Sequence, residues 1–449
     1  MAFFNAPVET MERAELNALI DERTRYTIRY AAVHSPFYRR WFKDNGVEIR
    51  SIRSHEDLLK LPIVSGQTIR ENQPPLTDDF QFRSADWPDI FTVHETSGTS
   101  GMPKSFFLTY DDWKRYAEKY ARFFTAQGFC AGDRLIVCAS YGMNVGASMM
   151  TLSAHHMGMT IVPEGKCNFP VRIIRSYRPT GIVGSVFKLL RLARRMGAEG
   201  FDPRDAGVER LVAGGESFAK ESREYLEELW GCKAYNTYGS TEGTMCGECA
   251  MQNGLHVPED MVHVDVYDPA MKKFVPDGEC GRMVLTTLLP AGAKCGTLLI
   301  NYDTDDTTVV MSREKCACGR THMRIFYPER ESETVWVAGT PFNRVDVESG
   351  VFQRENMDYL TGEYEAYIEK GTGTVRMKLN LECFAMENLD RRRIEDRFTE
   401  AFLKFKPGLA TAVDEGTFEI SFDFLRPGEL DLYKARGRPK RIVVRRSPV

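Results

Sequence analysis

Between Trp113 and Gly231 the chain alternates short apolar runs with amphipathic ones, and this alternation limits the possible folds more than any other feature. Arg134-Leu135-Ile136-Val137-Cys138 reads as a buried strand, Ala147 to Met157 as a helix and Thr160-Ile161-Val162 as a second strand. Ile182-Val183-Gly184 and Arg210-Leu211-Val212-Ala213 continue the strands, while Phe187 to Met196 and Glu221 to Trp230 supply helices. Strands separated by helices cannot close as tight hairpins. Their connections cross over, so the strands run parallel with helices on both faces. Ligand sites are then expected in the loops at the C-terminal ends of the strands.

The flanking regions read differently. An amphipathic helix is expected from about Glu9 to Ala32, a break at Ser35-Pro36-Phe37-Tyr38, and a further helical start at Ser54-His55-Glu56-Asp57. After Gly254 the text is strand-like: Val262-His263-Val264-Asp265-Val266 and Arg282-Met283-Val284-Leu285, separated by Pro276-Asp277-Gly278, suggest hairpins in a β-rich subdomain at about 255–327. A composition shift from Pro328 to Gly339 marks the passage into a small C-terminal domain. The expected class is α/β, with a large N-terminal domain (1–328) of mostly parallel sheets flanked by helices and a small C-terminal α/β domain (329–449).

Composition limits the function classes. With 449 residues, 43% of them apolar and 27% charged, the chain can build a large core and is not predominantly disordered. A formal net charge of -4 gives no footprint for nucleic-acid binding, although Lys434 to Arg446 form a local basic run. No apolar run is long enough to span a bilayer, and Met1-Ala2-Phe3-Phe4 gives way at once to Glu9, Glu12 and Arg13, so a cytoplasmic protein is expected. Eleven cysteines do not read as a secreted disulfide framework; their partial clustering points to metal or to reduced thiols.

The stretch Thr96-Ser97-Gly98-Thr99-Ser100-Gly101-Met102-Pro103-Lys104 suits phosphate oxygens: glycines permit close backbone approach, hydroxyls donate and the lysine brings charge. It is not a Walker loop, because no Gly-Lys-Ser/Thr closes it. Tyr238-Gly239-Ser240-Thr241-Glu242-Gly243 adds an aromatic ring, a hydroxyl and a carboxylate. Between and after them stand Ser140-Tyr141-Gly142-Met143-Asn144, Gly214-Gly215-Glu216 and Asn301-Tyr302-Asp303-Thr304-Asp305-Asp306.

This ordered set resembles the adenylate-forming (ANL) superfamily. The opening text SPFYRRWFKDNGV with DLLKLPI is similar to the branch of phenylacetate-CoA ligases and coenzyme F-390 synthetases. The resemblance implies the ANL fold, ATP and Mg2+. It implies a phosphate loop at Ser97, Gly98, Thr99, Ser100 and Gly101 with Lys104, an adenine frame of Gly214, Gly215, Glu216, Tyr238 and Gly239, and phosphate contact by Thr241. Glu242 would ligate magnesium, Asp306 would hold ribose hydroxyls, and Arg330 would bind ribose or phosphate. Arg438 is the uncertain counterpart of the C-terminal catalytic lysine, with Lys434 and Lys440 nearby. The chemistry asks for such groups independently, since attack at an α-phosphate spreads negative charge over oxygens that need cations and backbone donors in place.

Cys246-Gly247-Glu248-Cys249, His256 and Cys316-Ala317-Cys318 offer thiolates and an imidazole suited to tetrahedral zinc. Cys249, His256, Cys316 and Cys318 match a pattern of this branch and imply a structural Zn2+, with Cys246 as a competing ligand and reduced buried cysteines as the alternative. Candidate substrate residues are Tyr141, Asn144, His155, His156 and Ser240; the two histidines read equally well as satisfied core residues.

Two departures bear on the acceptor. Where acyl-CoA ligases carry Arg-Tyr-Arg-Thr-Gly-Asp, this chain reads Asn301-Tyr302-Asp303-Thr304-Asp305-Asp306, and the hinge Gly-Arg-x-Asp-Asp reads Glu329-Arg330-Glu331-Ser332-Glu333. They favour, as the first expectation, AMP transfer to the phenolic hydroxyl of deazaflavin coenzyme F-420, with no CoA step. The alternatives are an aryl-carboxylate-CoA ligase acting through an acyl-adenylate, and a non-catalytic nucleotide sensor. The expected partner is a small aromatic molecule, with no nucleic acid or membrane; a homodimer stays open.

Overall fold

The computed structural model describes residues 2–96, 98, 101–165, 168–387, 389–431 and 441–446. The chain divides into two compact units: 1–184 with 206–216 and 235–331, and 185–205 with 217–234 and 332–449.

A 13-stranded sheet dominates the first unit. Its parallel part has the order Thr160–Val162, Arg134–Val137, Gly181–Gly184, Arg210–Gly214, Lys233–Gly239. The three central strands Arg134–Val137, Gly181–Gly184 and Arg210–Gly214 are almost wholly buried, as strands covered on both faces must be, while the edge strand Thr160–Val162 is not. The strand-rich stretch continues the same ladder. From Lys233–Gly239 it runs antiparallel through Met245–Gly247, Leu255–His256, Arg324–Ile325, Tyr302–Ser312, Cys280–Thr287 and Val262–Asp268. The expected hairpin is present, with Val264 opposite Leu285.

Helix boundaries follow local chemistry. The first long helix is Arg13–His34, and Glu9 belongs instead to a separate short helix, Ala6–Glu9. Pro36 both ends one helix and begins the next, Pro36–Asp44, because at the first helical position its missing N–H costs nothing; the Ser35 hydroxyl accepts from Tyr38 N–H. Ser54 and Asp57 form a capping box, although the helix they open, His55–Lys60, is 3-10. Thr109 and Asp112 cap Tyr110–Ala126 in the same way.

The second unit has a four-stranded sheet of order Phe418–Leu425, Val375–Cys383, Leu360–Lys370, Ile442–Arg446, antiparallel at the centre and parallel at both flanks. Its helices include Arg344–Val351, Arg391–Leu403, Val186–Ala198 and Lys220–Trp230. Phe342, Phe398, Phe402 and Phe418 pack its core. Among the described residues, no helix is long and apolar enough to cross a membrane.

Candidate active site

The loop after Thr96 is the tip of a β-hairpin. Strands Ile90–Glu95 and Ser105–Thr109 pair antiparallel, with Glu95 opposite Ser105. Thr96 N–H donates to Lys104 O and Lys104 N–H to Thr96 Oγ1, both at 3.0 Å, which pins the loop at its base. Gly98 has φ +68°, and a Cβ there would stand 2.9 Å from Pro103 Cγ, so a side chain is excluded on both counts. Gln73 braces the far end, donating to Pro103 O at 2.7 Å and accepting from Ser105 N–H at 3.1 Å; Arg70 Nε donates to Met102 O at 2.9 Å. Gly101 lies beside the Arg70 guanidinium. Ser97, Thr99 and Ser100 lie outside the described residues.

Lys104 leads from this loop to the second motif. Its Nζ stands 2.7 Å from Glu242 Oε1 and donates to the Tyr302 hydroxyl, and both charged side chains are more than nine-tenths buried. Against the cost of burial, the Lys104 ammonium and its hydrogen bond hold Glu242 below the ordinary carboxylate value. Thr241, half-buried, precedes it on the turn after strand Lys233–Gly239, which closes through Ser240 N–H to Thr244 O at 2.9 Å and Gly243 N–H to Ser240 O at 3.1 Å.

Tyr238 and Gly239 end that strand, and Gly214 ends its neighbour Arg210–Gly214, so the Gly214-Gly215-Glu216 loop and Tyr238 share the C-terminal edge of the parallel strands. The Tyr238 hydroxyl donates to Asp306 Oδ2 at 2.5 Å. Arg330 Nε lies 3.1 Å from Asp306 Oδ1 because the two are cross-strand partners in the pairing of Tyr302–Ser312 with Glu329–Arg330. Burial lifts the Asp306 carboxyl above its ordinary value despite the arginine and the phenol. The structure thus brings together Lys104, Glu242, Tyr238, Asp306 and Arg330 from four segments spread over more than two hundred residues.

Residues 21–288 match the family model for AMP-binding enzyme. The chain belongs to that family. This AMP-binding enzyme is 31% identical over 328 residues to a phenylacetate-coenzyme A ligase of Thermus thermophilus, covering 72% of each chain. A phenylacetate-coenzyme A ligase of Pseudomonas putida is 28% identical over 422 residues, 91% of this chain and 92% of its own. In fold, the enzyme is similar to 2-hydroxyisobutyryl-CoA ligase in complex with an acyl-AMP, with a TM-score of 0.80 at 22% identity, covering 99% of this chain and 92% of that one. The enzyme has the ANL fold and is an ATP-dependent, AMP-forming ligase.

The charge-altered stretch of this AMP-binding enzyme is compensated from outside the motif. Arg282, on strand Cys280–Thr287, lies 2.9 Å from Asp303 and 3.8 Å from Asp305, and it also pairs with Glu331. One guanidinium thereby serves three carboxylates. Asp305 sits at φ +60°, the left-handed region that glycine adopts most readily. Glu333, the candidate hinge residue, belongs to the second unit, in the 3-10 turn Glu331–Glu333. Arg438, Lys434 and Lys440 lie outside the described residues.

The candidate substrate residues come from two segments of the chain. Tyr141 and Asn144 precede helix Gly146–Met157, where the Tyr141 hydroxyl bonds Thr151 Oγ1 at 2.9 Å and Asn144 Oδ1 accepts from Gly146 N–H at 2.8 Å. His155 is in the last turn of that helix, roughly 14 Å along the axis from its start at 1.5 Å per residue. His155 and His156 are both exposed, so the core-histidine reading is corrected, and His155 follows Thr151, the partner of the Tyr141 hydroxyl, by one helical turn. The Ser240 hydroxyl is buried in the Thr241–Glu242 turn, without a hydrogen-bond partner among the described residues.

Cys249, His256, Cys316 and Cys318 are all buried, and their donor atoms lie within 4.8 Å of one another. Cys249 Sγ to Cys316 Sγ is 3.9 Å and Cys318 Sγ to His256 Nε2 is 3.5 Å. A tetrahedral zinc site with ordinary bond lengths has sulfur–sulfur edges of about 3.8 Å and sulfur–nitrogen edges of about 3.6 Å. His256 Nδ1 faces His322 O at 3.2 Å, which leaves Nε2 for a metal, and Arg320 ties the Cys316–Cys318 loop to Glu9 at 2.7 Å. Cys246 is absent from the group: it lies on strand Met245–Gly247 within an apolar cluster with Ile28 and Leu255, and burial pushes its thiol up to about 12.

Sequence reasoning missed Arg70, Gln73 and Arg282, which act on the site only through tertiary contacts. Tyr302 stood inside a quoted motif, but its role beside Lys104 had no local signal.

Proposed function

We propose that the enzyme activates an aryl carboxylic acid of the phenylacetate type as its acyl-adenylate and passes the acyl group to CoA. The observation that carries this reading is the reach of the likeness to the Pseudomonas putida phenylacetate-coenzyme A ligase, which spans 91% of this chain and so extends well beyond Glu331 into the second unit. In the first step a carboxylate oxygen bonds to the α-phosphorus and the bond to the bridging oxygen breaks, releasing pyrophosphate. In the second, the CoA sulfur bonds to the acyl carbon, AMP leaves with the carboxylate oxygen and the thiol proton is lost.

The residues divide this work. Lys104 and Glu242 neutralise each other before nucleotide arrives. On binding, Lys104 turns to phosphate oxygens, together with the donors of Ser97 to Gly101 and Thr241. Glu242, held ionised in a buried position, fits a hard divalent cation, and magnesium bound there would neutralise phosphate charge. Tyr238 and the Gly214–Glu216 loop frame the base, and Asp306 accepts from ribose hydroxyls with Arg330 keeping its carboxylate oriented. Tyr141, Asn144 and Ser240 belong on the acceptor side, and Arg438 is the candidate basic group for the transfer oxygen. The Cys249, His256, Cys316 and Cys318 donors fit one structural Zn2+; four protein ligands leave no position for catalysis.

The deazaflavin reading rested on the altered stretch Asn301 to Asp306, on the hinge departure at Glu329 to Glu333 and on the C-terminal basic residue, and the charge gained at Asp303 and Asp305 was the first of these reasons. Arg282 supplies the missing positive charge from a neighbouring strand, so that reason loses its force. The test is mass spectrometry of reactions with ATP, magnesium, CoA and phenylacetate, or with the deazaflavin in its place. Aryl-CoA, AMP and pyrophosphate are expected from the first. An AMP adduct of the deazaflavin with no aryl-CoA would reverse the assignment, and nucleotide binding without pyrophosphate release from either acceptor would leave a sensor.

A further inference from the structure

Beneath the turn that carries Thr241 and Glu242 lies helix Tyr110–Ala126, which presents Asp112, Arg115, Tyr116 and Lys119 to a polar cavity with an interior of about 10 Å³ that Glu242 and Gly243 also line. Room for about one water remains there. Lys119 is 6% exposed, and its Nζ donates to Gly243 O at 2.7 Å. Its ammonium also stands 4.9 Å from the centre of the Tyr116 ring. Among the described residues it forms no ion pair. A buried ammonium without a carboxylate is costly, and a neutral side chain of the same length would fill the space at less expense.

Gly243 explains what the lysine holds. Its φ of +101° is a glycine conformation, and a Cβ would come 2.4 Å from the Tyr116 hydroxyl, so the turn rests directly on the helix. Lys119 then fixes the peptide plane next to the residue that bonds Lys104. Arg115 and Asp112 on the helix, Cys246 on the strand after the turn, Asp260 in the loop before Val262–Asp268, and Glu242 itself surround it.

We propose that Lys119 is a positioning residue for adenylation: through the Gly243 carbonyl it aims the Thr241–Glu242 turn at the nucleotide. This rests on the role given to Glu242 above. Burial, with Arg115 nearby, pushes the Lys119 ammonium down to about 7, so its charge changes near neutral pH. Its folded pKa lies below the unfolded value of about 10.4. Unfolding therefore takes up protons between those two values, and stability from this group rises with pH across the same range in which the charge-assisted bond weakens. Rate and stability should part company.

The test compares Lys119→Met, Lys119→Arg and Glu242→Ala in the full chain, reading pyrophosphate release against magnesium concentration and pH, and the thermal midpoint of each. Lys119→Met should lower release about 10-fold and raise the magnesium needed for half-maximal rate, with a midpoint equal to or above wild type. Wild type should lose rate above pH 7, and Lys119→Arg should keep release to within about 3-fold of wild type and remove that decline. Release unchanged in Lys119→Met while Glu242→Ala abolishes it overturns the Lys119 proposal alone; release unchanged in both overturns the role of Glu242 as well. Loss of rate with a parallel loss of midpoint in both Lys119 variants marks a merely structural lysine and also overturns it. Should Lys119→Met not fold, wild type and Lys119→Arg decide: the same alkaline decline in both rejects the proposal.

Discussion

Two polar clusters of the first unit are each built from separate pieces of chain, yet they differ in charge. At the Lys104 site each charged group already faces an opposite one: Lys104 with Glu242, and Asp306 with Arg330. At the cysteine–histidine cluster the four converging atoms are all lone-pair donors. A site that must exchange ligands every turnover benefits from internal partners, because its charges stay compensated when the ligand leaves. A site that holds one ion permanently needs no such reserve, and its donors converge on the ion's own geometry. The contrast teaches that internal balance marks a place of exchange, and convergence of like donors a place of permanent binding.

Removing the proposed ion should have the largest effect. Chelation, or Cys318→Ser, is expected to lower the thermal midpoint by about 10 °C or more, because the ion ties the segment after Cys246 to the loop before Arg324–Ile325. Protein purified without chelator that contains no zinc by elemental analysis would break the comparison at this end. Next comes the exchanging site: Glu242→Ala should lower pyrophosphate release by at least roughly 100-fold. Its midpoint should move far less than that of Cys318→Ser. Equal midpoint losses in the two variants would erase the distinction.

A third cluster sharpens it. Asp260 is buried between Arg122, at 2.6 Å, and Arg23, at 3.2 Å, with no ligand chemistry in view. Against the cost of burial, those guanidiniums hold its carboxyl at about 2. Its folded pKa lies below the unfolded value, so its contribution is complete above about pH 4 and is lost as pH falls toward 2. Asp260→Asn should cost about 3 kcal/mol in denaturant unfolding at pH 7, and that cost should shrink as the pH is lowered through this range. The smallest effect is expected at Asp305→Gly. Glycine relieves the left-handed backbone, and the half-exposed carboxylate loses only a 3.8 Å contact with Arg282, so a gain of about 0.5–1 kcal/mol is expected in the same measurement.

How much of this was legible depended on chain distance. The strands Arg134–Val137 and Gly181–Gly184 and the helix Lys220–Trp230 follow from apolar period and from stops such as Gly231, whose φ is +66°. The candidate phosphate loop is proposed from the sequence because its requirements are local: small residues, hydroxyls and a lysine within nine positions. Cys249, His256, Cys316 and Cys318 were readable as a cluster because thiols and imidazoles are few, and the structure brings their donor atoms within 4.8 Å of one another. The exposure of His155 and His156 was not legible, because the sequence of helix Gly146–Met157 does not show which of its faces the rest of the fold covers. Arg282 escaped notice altogether, since nothing near it on strand Cys280–Thr287 reveals that Asp303 lies across the ladder.

The sequence by itself determined the local chemistry: which segments become strands and helices, which loop offers hydroxyls, glycines and a lysine together, and which thiols and imidazole are available for a metal. Those properties depend on side-chain type and on spacing within a few residues. Tertiary structure alone decided which charge meets which. It set Lys104 against Glu242 and Tyr302, stood Arg282 beside two acidic departures that looked uncompensated, separated Cys246 from the other ligands, and placed Lys119 under the Gly243 carbonyl. The physical reason is that electrostatic and hydrogen-bond energies are set by distance through space and by burial, and both are fixed only when strands far apart in the chain take their register.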